Sequence, residues 1–192
     1  MTIAGAPVEA APLGRVSVVG NSGSGKTRLA RMLAAALGVP FLELDAVFHL
    51  PDWGELPVEQ FRAVVREFAA GAAWVVDGNY SVVRDLVWER ADTVVWVDPP
   101  QALVMARVVR RTLRRTVTRQ ELWNGNREPF SNLWSLDPYR SIIAWSWTRR
   151  TEYRRRYETA MVDPAWRHLT FVRLRRAGEA RRFLDTARPA SR

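Results

Sequence analysis

The sequence predicts an α/β fold, a parallel sheet covered by helices on both faces. Two observations predict it. Short, continuously apolar, β-branched runs recur between longer segments of helical period, and strands that are apolar on both sides belong to sheets buried on both faces. The first of these runs ends in a glycine- and serine-rich turn that opens directly into a helix, as α/β units do.

Residues 14–20 read as the first strand, apolar and β-branched up to its closing glycine. The turn 20–25 leads into a helix over 26–37, with Leu29, Ala30, Met32, Leu33 and Leu37 at helical spacing; Gly38 and Pro40 stop it. Residues 41–45 form a second strand, and Pro57 starts a helix running to 70. The run 73–77 is a third strand, closed by Gly78-Asn79, and Ser81 caps a helix to about 90. Residues 93–98 make a fourth strand before Pro99-Pro100. A long arginine-rich helix covers 101–118, another helix 141–160, and a fifth strand 169–174. The segment 121–139, rich in Trp, Asn and Pro, is the least regular and the best candidate for a mobile insert over a site.

The 192 residues are 47% hydrophobic, enough for one buried core. The absence of cysteine excludes disulfides and thiolate metal sites and fits a reducing compartment. The N-terminal residues lack the basic start and apolar run of a signal peptide, and no apolar stretch is long enough to span a bilayer. The expectation is therefore a cytoplasmic chain with a disordered tail, 1–13, and one domain over 14–192 that carries a lid insert at about 107–150. Net charge is +9, and of the 29 basic residues only Lys26 is lysine. Arginine-favouring codon usage accounts for most of this. The single lysine then marks a place where a compact ammonium is needed.

That lysine lies in Gly20-Asn21-Ser22-Gly23-Ser24-Gly25-Lys26-Thr27, a complete G-x-x-x-x-G-K-[ST] motif. Glycines let successive backbone N–H groups turn inward around a phosphate, and the following helix aims its positive end at the same oxygens. Lys26 reaches the β- and γ-phosphates, and the Thr27 hydroxyl ligates Mg²⁺. The motif predicts binding of ATP or a close relative with Mg²⁺; no base-reading motif separates ATP from GTP.

Ligands of open parallel sheets bind beyond the carboxyl ends of the strands. Asp45, Asp77 and Asp98 fall at such ends. Asp77 follows Trp74-Val75-Val76 as a metal-holding acid follows an apolar strand, and is assigned to Mg²⁺. Asp45 is placed to orient or deprotonate an acceptor hydroxyl. Asp98 reads as a turn former or helix cap, and His49 as a packed loop residue.

Arg107, Arg110, Arg111, Arg114, Arg115 and Arg119 recur at three- and four-residue spacing, hence on one broad helix face. Arg149, Arg150, Arg154, Arg155 and Arg156 form a second set. Two arginine sets flanking one insert read as a lid closing over a moving phosphoryl group, which cations stabilise. Arg107 and Arg111, with Arg149 or Arg150, are the expected phosphate contacts, and the rest are a solvated face. The same faces, with Trp123, Trp134, Trp145 and Trp147 nearby, also suit nucleic acid, through phosphates and stacking; this is the less favoured partner.

The chain resembles the adenylate-kinase-like P-loop proteins, and most of all the bacterial group called DNA topology modulation proteins. The residues carrying the resemblance are Gly20 to Thr27, Leu44-Asp45-Ala46-Val47-Phe48-His49, Trp74-Val75-Val76-Asp77-Gly78-Asn79-Tyr80 and Glu121-Leu122-Trp123-Asn124-Gly125-Asn126-Arg127-Glu128. The resemblance implies a P-loop NTPase three-layer sandwich, a five-stranded parallel sheet of order 2-3-1-4-5 with a short helical lid, and ATP as donor. Nucleoside monophosphate kinases follow the Asp-Gly after strand three with Phe-Pro-Arg, whose arginine binds the acceptor phosphate. Here Asn79-Tyr80-Ser81 follows, and Arg84 is the nearest substitute. Two functions follow as expectations: an ATP·Mg²⁺-dependent kinase with a small acceptor that the sequence does not name, or a nucleotide-switched nucleic-acid-binding protein with weak ATPase activity.

Overall fold

The structure, a computed structural model, describes residues 13–127 and 142–187, with side chains from 147 onward in the latter segment. Five parallel strands, β1 (Arg15–Gly20), β2 (Phe41–Glu43), β3 (Trp74–Asp77), β4 (Thr93–Val97) and β5 (Thr170–Leu174), form one sheet in the order β2-β3-β1-β4-β5. That is the implied order. The helices are α1 (Lys26–Leu37), α2 (Leu44–Phe48), α3 (Val58–Ala69), α4 (Arg84–Trp88), α5 (Gln101–Thr118), α6 (Ile142–Ala160) and α7 (Ala177–Thr186).

Side chains alternate across a strand, so each strand feeds two cores. Val16, Val18, Val75 and Val95 pack with Leu29 and Leu33 of α1 and Phe183 of α7. Val19, Trp74, Val76, Val94 and Trp96 pack with Phe61 and Val65 of α3, Trp88 of α4 and Tyr157 of α6. The buried indoles also find acceptors: Trp88 Nε1 donates to Ser17 Oγ at 3.2 Å and Trp74 Nε1 to the Ala69 carbonyl at 3.2 Å. The sheet thereby places the carboxyl ends of β1 and β3 side by side, with Val18 opposite Asp77.

The structure corrects six expectations. The second strand stops at Glu43, because its only neighbour, β3, ends opposite it at Asp77; Leu44 onward has no ladder partner and turns into α2. Asp45 therefore sits in the first turn of a helix and not at a strand end. The helix expected from Ser81 begins as a 3-10 turn, Ser81–Val83, without a side-chain cap. Asp98 is no cap: Pro100 precedes α5, and the Asp98 carboxylate instead accepts from Arg173 at 2.5 and 3.0 Å and lies 3.5 Å from Arg150. A seventh helix, α7, follows β5; Phe183 is its one buried residue, too sparse an apolar pattern to be read in advance. Leu13, assigned to the tail, is buried in the second core because its side chain is apolar and adjoins β1. The remainder of the tail, residues 128–141 of the expected insert, Trp134 and the Trp145 side chain lie outside the described residues.

Candidate functional site

The loop Gly20 to Thr27 joins β1 to α1, as its motif requires. Two of its glycines are there for close approach. A Cβ on Gly20 would stand 2.5 Å from the Val97 carbonyl oxygen. At Gly23 (φ +79°) it would stand 2.4 Å from Val108 Cγ2 and 2.9 Å from the Val104 carbonyl of α5. The loop is thus pressed onto β4 on one side and α5 on the other. Helix α1 begins without a side-chain cap and without an acidic residue in its first turn. Its first intrahelical bond is that from Leu29 N–H to Gly25 O. Ser22, Ser24 and Gly20 N–H are already bonded within the chain, whereas the N–H groups of Lys26, Thr27 and Arg28 in the first turn have no acceptor inside the helix, which is the donor set an anion needs.

Asp77 ends β3 beside this loop and is 1% exposed. Burial pushes its carboxyl up from 3.8 to about 6; the Lys26 ammonium and the Thr27 hydroxyl pull the other way. Thr27 is close enough to favour the charged form, yet no donor meets either carboxylate oxygen in hydrogen-bonding geometry. A buried carboxylate with both oxygens open, beside a hydroxyl and an ammonium, fits a hard cation such as Mg²⁺, which needs only one or two protein oxygens when phosphates supply the others. Among the described residues no three acidic or histidine side chains cluster as a self-sufficient metal cage.

Three elements converge on the loop. Asn79 holds both backbone polar groups of Gly20: its Oδ1 accepts from Gly20 N–H at 3.0 Å and its Nδ2 donates to Gly20 O at 2.6 Å. Tyr157 of α6 donates to the same Oδ1 at 2.9 Å. From α5, Arg107 donates to the Ser24 carbonyl at 3.1 Å and Arg111 to Ser22 Oγ at 2.9 Å. The structure therefore brings Arg107 and Arg111 to the loop. Arg149 pairs with Glu152 of its own helix at 2.6 Å, while Arg150 donates to the Pro99 carbonyl at 3.0 Å next to Asp98. Of the two alternatives, Arg150 is the one anchored at the strand ends.

On the β2–β3 side, Tyr80 Oη donates to Asp45 Oδ1 at 2.8 Å and lies 3.5 Å from His49 Nε2. Arg84 stacks over the Trp88 ring at 5.5 Å. Arg84, Arg156, Asn79, Tyr80 and Tyr157 border a recess that runs down to Ser17 and Trp88, with no carboxylate in its lining. The segment after α5 closes this side. Asn124 Nδ2 donates to the carbonyls of Ala46 and His49, Asn126 bridges the Leu50 carbonyl and Trp53 N–H, and Trp53 Nε1 donates to the Arg127 carbonyl. Trp123 Nε1 donates to the buried Glu43 at 2.9 Å, and Arg31 of α1 takes the other oxygen of that carboxylate.

Sequence reasoning assigned no role to Asn79, Tyr80, Tyr157 or Glu43. The unusual Asp77-Gly78-Asn79-Tyr80 run was the available signal for two of them. Tyr157 and Glu43 carry none, since their partners are 78 and 80 residues away in the chain.

Comparison with known proteins agrees with this architecture. The profile of the ATPase family associated with various cellular activities (AAA) matches residues 16–118. A search of curated proteins returns no match. Among solved structures, a shikimate kinase from Acinetobacter baumannii in complex with shikimate shares 21% identity at TM-score 0.55, with 90% of this chain and 89% of that one covered. An unliganded sugar kinase from a Janibacter species shares 20% at TM-score 0.50, covering 91% and 94%. A shikimate kinase from Bacteroides thetaiotaomicron shares 15% at TM-score 0.50, covering 90% and 95%. At such identities the likeness is one of fold. None of these is a DNA topology modulation protein, so the resemblance stands at the level of the P-loop superfamily. With the loop, the parallel strand order and a profile that matches more than half the chain, this protein belongs to the ATPase family associated with various cellular activities, the P-loop NTPases.

Proposed function

We infer that the chain is an ATP·Mg²⁺-dependent phosphotransferase acting on a small acceptor. The observation carrying this reading is the buried Asp77, whose two oxygens are open beside Lys26 and Thr27. Keeping an unpartnered carboxylate in the interior is costly, and a cation held with phosphates removes the cost. The folds it resembles include a shikimate kinase and a sugar kinase, which supports the same reading.

In this reading Gly20, Asn21, Ser22, Gly23, Ser24 and Gly25 wrap the phosphates. Thr27 and Asp77 would hold Mg²⁺, which when bound neutralises charge on the phosphate oxygens. Lys26, Arg107 and Arg111 stabilise the charge that develops on the transferring group, with Arg149 or Arg150 added from the lid. The lid runs from about 107 to 150 within a single domain. Asp45 orients or deprotonates the acceptor hydroxyl, and Arg84 faces the acceptor across the recess.

The test is ADP release from Mg·ATP with and without a panel of nucleosides, nucleoside monophosphates and small hydroxylated metabolites. We expect one acceptor class to raise turnover into the kinase range of roughly 1–100 per second, and Lys26→Ala to abolish it. If nothing raises a slow basal rate while ATP still binds, the second reading gains: a nucleotide-switched nucleic-acid binder with weak ATPase activity. Steep weakening of DNA or RNA binding with added salt would then support it. The net charge of +9 favours that alternative. Against it, Arg107 and Arg111 are turned inward to the phosphate loop and Arg173 to Asp98, away from an outer surface that a nucleic acid would meet.

A further inference from the structure

Asp45 is not left to itself on the acceptor side. Its Oδ1 is taken by the Tyr80 hydroxyl at 2.8 Å, and among the described residues Oδ2 accepts no hydrogen bond. Tyr80 is itself held between two rings. Its ring packs at 4.8 Å from Phe48 and 5.2 Å from Phe61, and burial followed by the Asp45 charge pushes its phenol far above its ordinary value, so it remains a donor at any working pH.

The direction of that donor is set by His49. His49 Nε2 lies 3.5 Å from Tyr80 Oη, and His49 Nδ1 is buried with no partner. A buried ring nitrogen without an acceptor is better left unprotonated, because an orphan N–H costs more than an orphan lone pair. In the tautomer with the proton on Nε2, His49 donates toward the Tyr80 oxygen, whose own hydroxyl donates onward to Asp45. His49 is in turn held by the segment after α5: it stacks on Trp123 at 5.8 Å with rings 25° apart, meets Trp53 edge-on at 5.4 Å, and its carbonyl accepts from Asn124. A chain of contacts therefore runs from Trp123 through His49 and Tyr80 to Asp45.

We propose that Tyr80 is a positioning residue for Asp45. Its hydroxyl, aimed by His49, occupies Oδ1 and presents Oδ2 to the acceptor hydroxyl, and docking of Trp123 on His49 completes the arrangement. The proposal rests on the phosphotransfer reading and adds to it a residue that needs no contact with substrate. The other charged or titratable groups felt at this spot are Asp77 of β3, Tyr153 of α6 and Glu55 of the loop after α2. None of them is hydrogen-bonded to the Tyr80 hydroxyl.

The experiment measures Mg·ATP turnover with water as the acceptor, so that no unidentified ligand is needed. The variants are Tyr80→Phe, Asp45→Asn, the double variant, His49→Gln, His49→Phe and Lys26→Ala. Tyr80→Phe keeps the ring and its packing. We expect kcat to fall about tenfold with the KM for ATP unchanged. The double variant should be no slower than Asp45→Asn alone, because two residues acting as one unit are not additive. His49→Gln, which keeps a donor near the Nε2 position, should retain more activity than His49→Phe. Multiplicative losses in the double variant, or full activity in Tyr80→Phe while Asp45→Asn is impaired, would overturn the positioning role. Full activity in both single variants, with Lys26→Ala inactive, overturns it as well and leaves the phosphotransfer reading standing. Turnover that exceeds that of Lys26→Ala neither with water nor with any acceptor of the panel sinks the phosphotransfer reading, and the inference goes with it.

Discussion

Asp77 carries opposite consequences for stability and for function. Its folded-state carboxyl is pushed up from 3.8 to about 6 by burial. Between those values the folded protein retains a proton that the unfolded chain has released, so the ligand-free protein loses stability as pH rises from about 4 to about 6. Two units correspond to on the order of 3 kcal/mol, or roughly 6–12 °C in melting temperature for a chain this size. Asp77→Asn should therefore melt higher than the native chain at about pH 7.5, melt with it near pH 4, and lose Mg²⁺-dependent turnover. Equal melting curves at both pH values would refute the assignment. Gly23→Ala acts differently. Its Cβ meets Val108 Cγ2 at 2.4 Å and the Val104 backbone at 2.9 Å, at a φ of +79° that L residues avoid. We expect about 2–4 kcal/mol of destabilisation, seen as a lower denaturant midpoint, together with weakened ATP binding. At this scale the phosphate loop was fully legible, since each of its residues is dictated by the phosphate and by the chain beside it. Tyr80 and Asn79 were visible as an unusual run but not as roles, because a role needs a partner and theirs are Asp45 and Gly20.

Helices α5 and α6 are held to the sheet by arginines of unequal worth. Arg173 of β5 lies 3.8 Å over the Trp96 ring and donates twice to Asp98; the two side chains are 14% and 7% exposed. Arg150 reaches the same carboxylate from α6. Removing Asp98 takes the shared carboxylate from two largely covered guanidinium groups and leaves Arg173 with Glu158 and Arg150 with the Pro99 carbonyl, so Asp98→Ala should cost about 2–3 kcal/mol, a drop of roughly 4–12 °C. The Arg149–Glu152 pair of α6 is 38% and 44% exposed, and water screens it. Glu152→Gln should change the melting temperature by only about 0–3 °C. Comparable losses in the two variants would contradict this ranking. Both pairs read alike in the sequence, as an acid among arginines. Burial separates them, and burial follows from the placement of β4 beside β5. The same holds for Arg107 and Arg111: spacing put them on one helix face, while only the packing of α5 on Gly23 decided that this face looks at the phosphate loop.

Over the whole molecule, the turn at Trp123–Gly125 and the turn at Pro51–Trp53 are clasped together by side-chain amides and indoles. Asn126 alone satisfies Trp53 N–H and the Leu50 carbonyl. Asn126→Ala should leave global unfolding within about 1–3 kcal/mol of the native chain while amide exchange of Trp53 speeds selectively. Unaltered exchange at Trp53 would show that the clasp does not hold the two turns. What the sequence by itself determined was local: which runs are strands, where the phosphate loop lies, and the βα alternation that commits the chain to a parallel sheet. These rest on backbone preferences and on periodicity within a few residues. The extent of β2, the hub at Asp98, the relay from His49 to Asp45 and the clasp of the two turns were decided only by the tertiary structure. Each joins groups from 31 to 80 residues apart or depends on where a neighbouring strand happens to end, and nothing in the local chain encodes such distances.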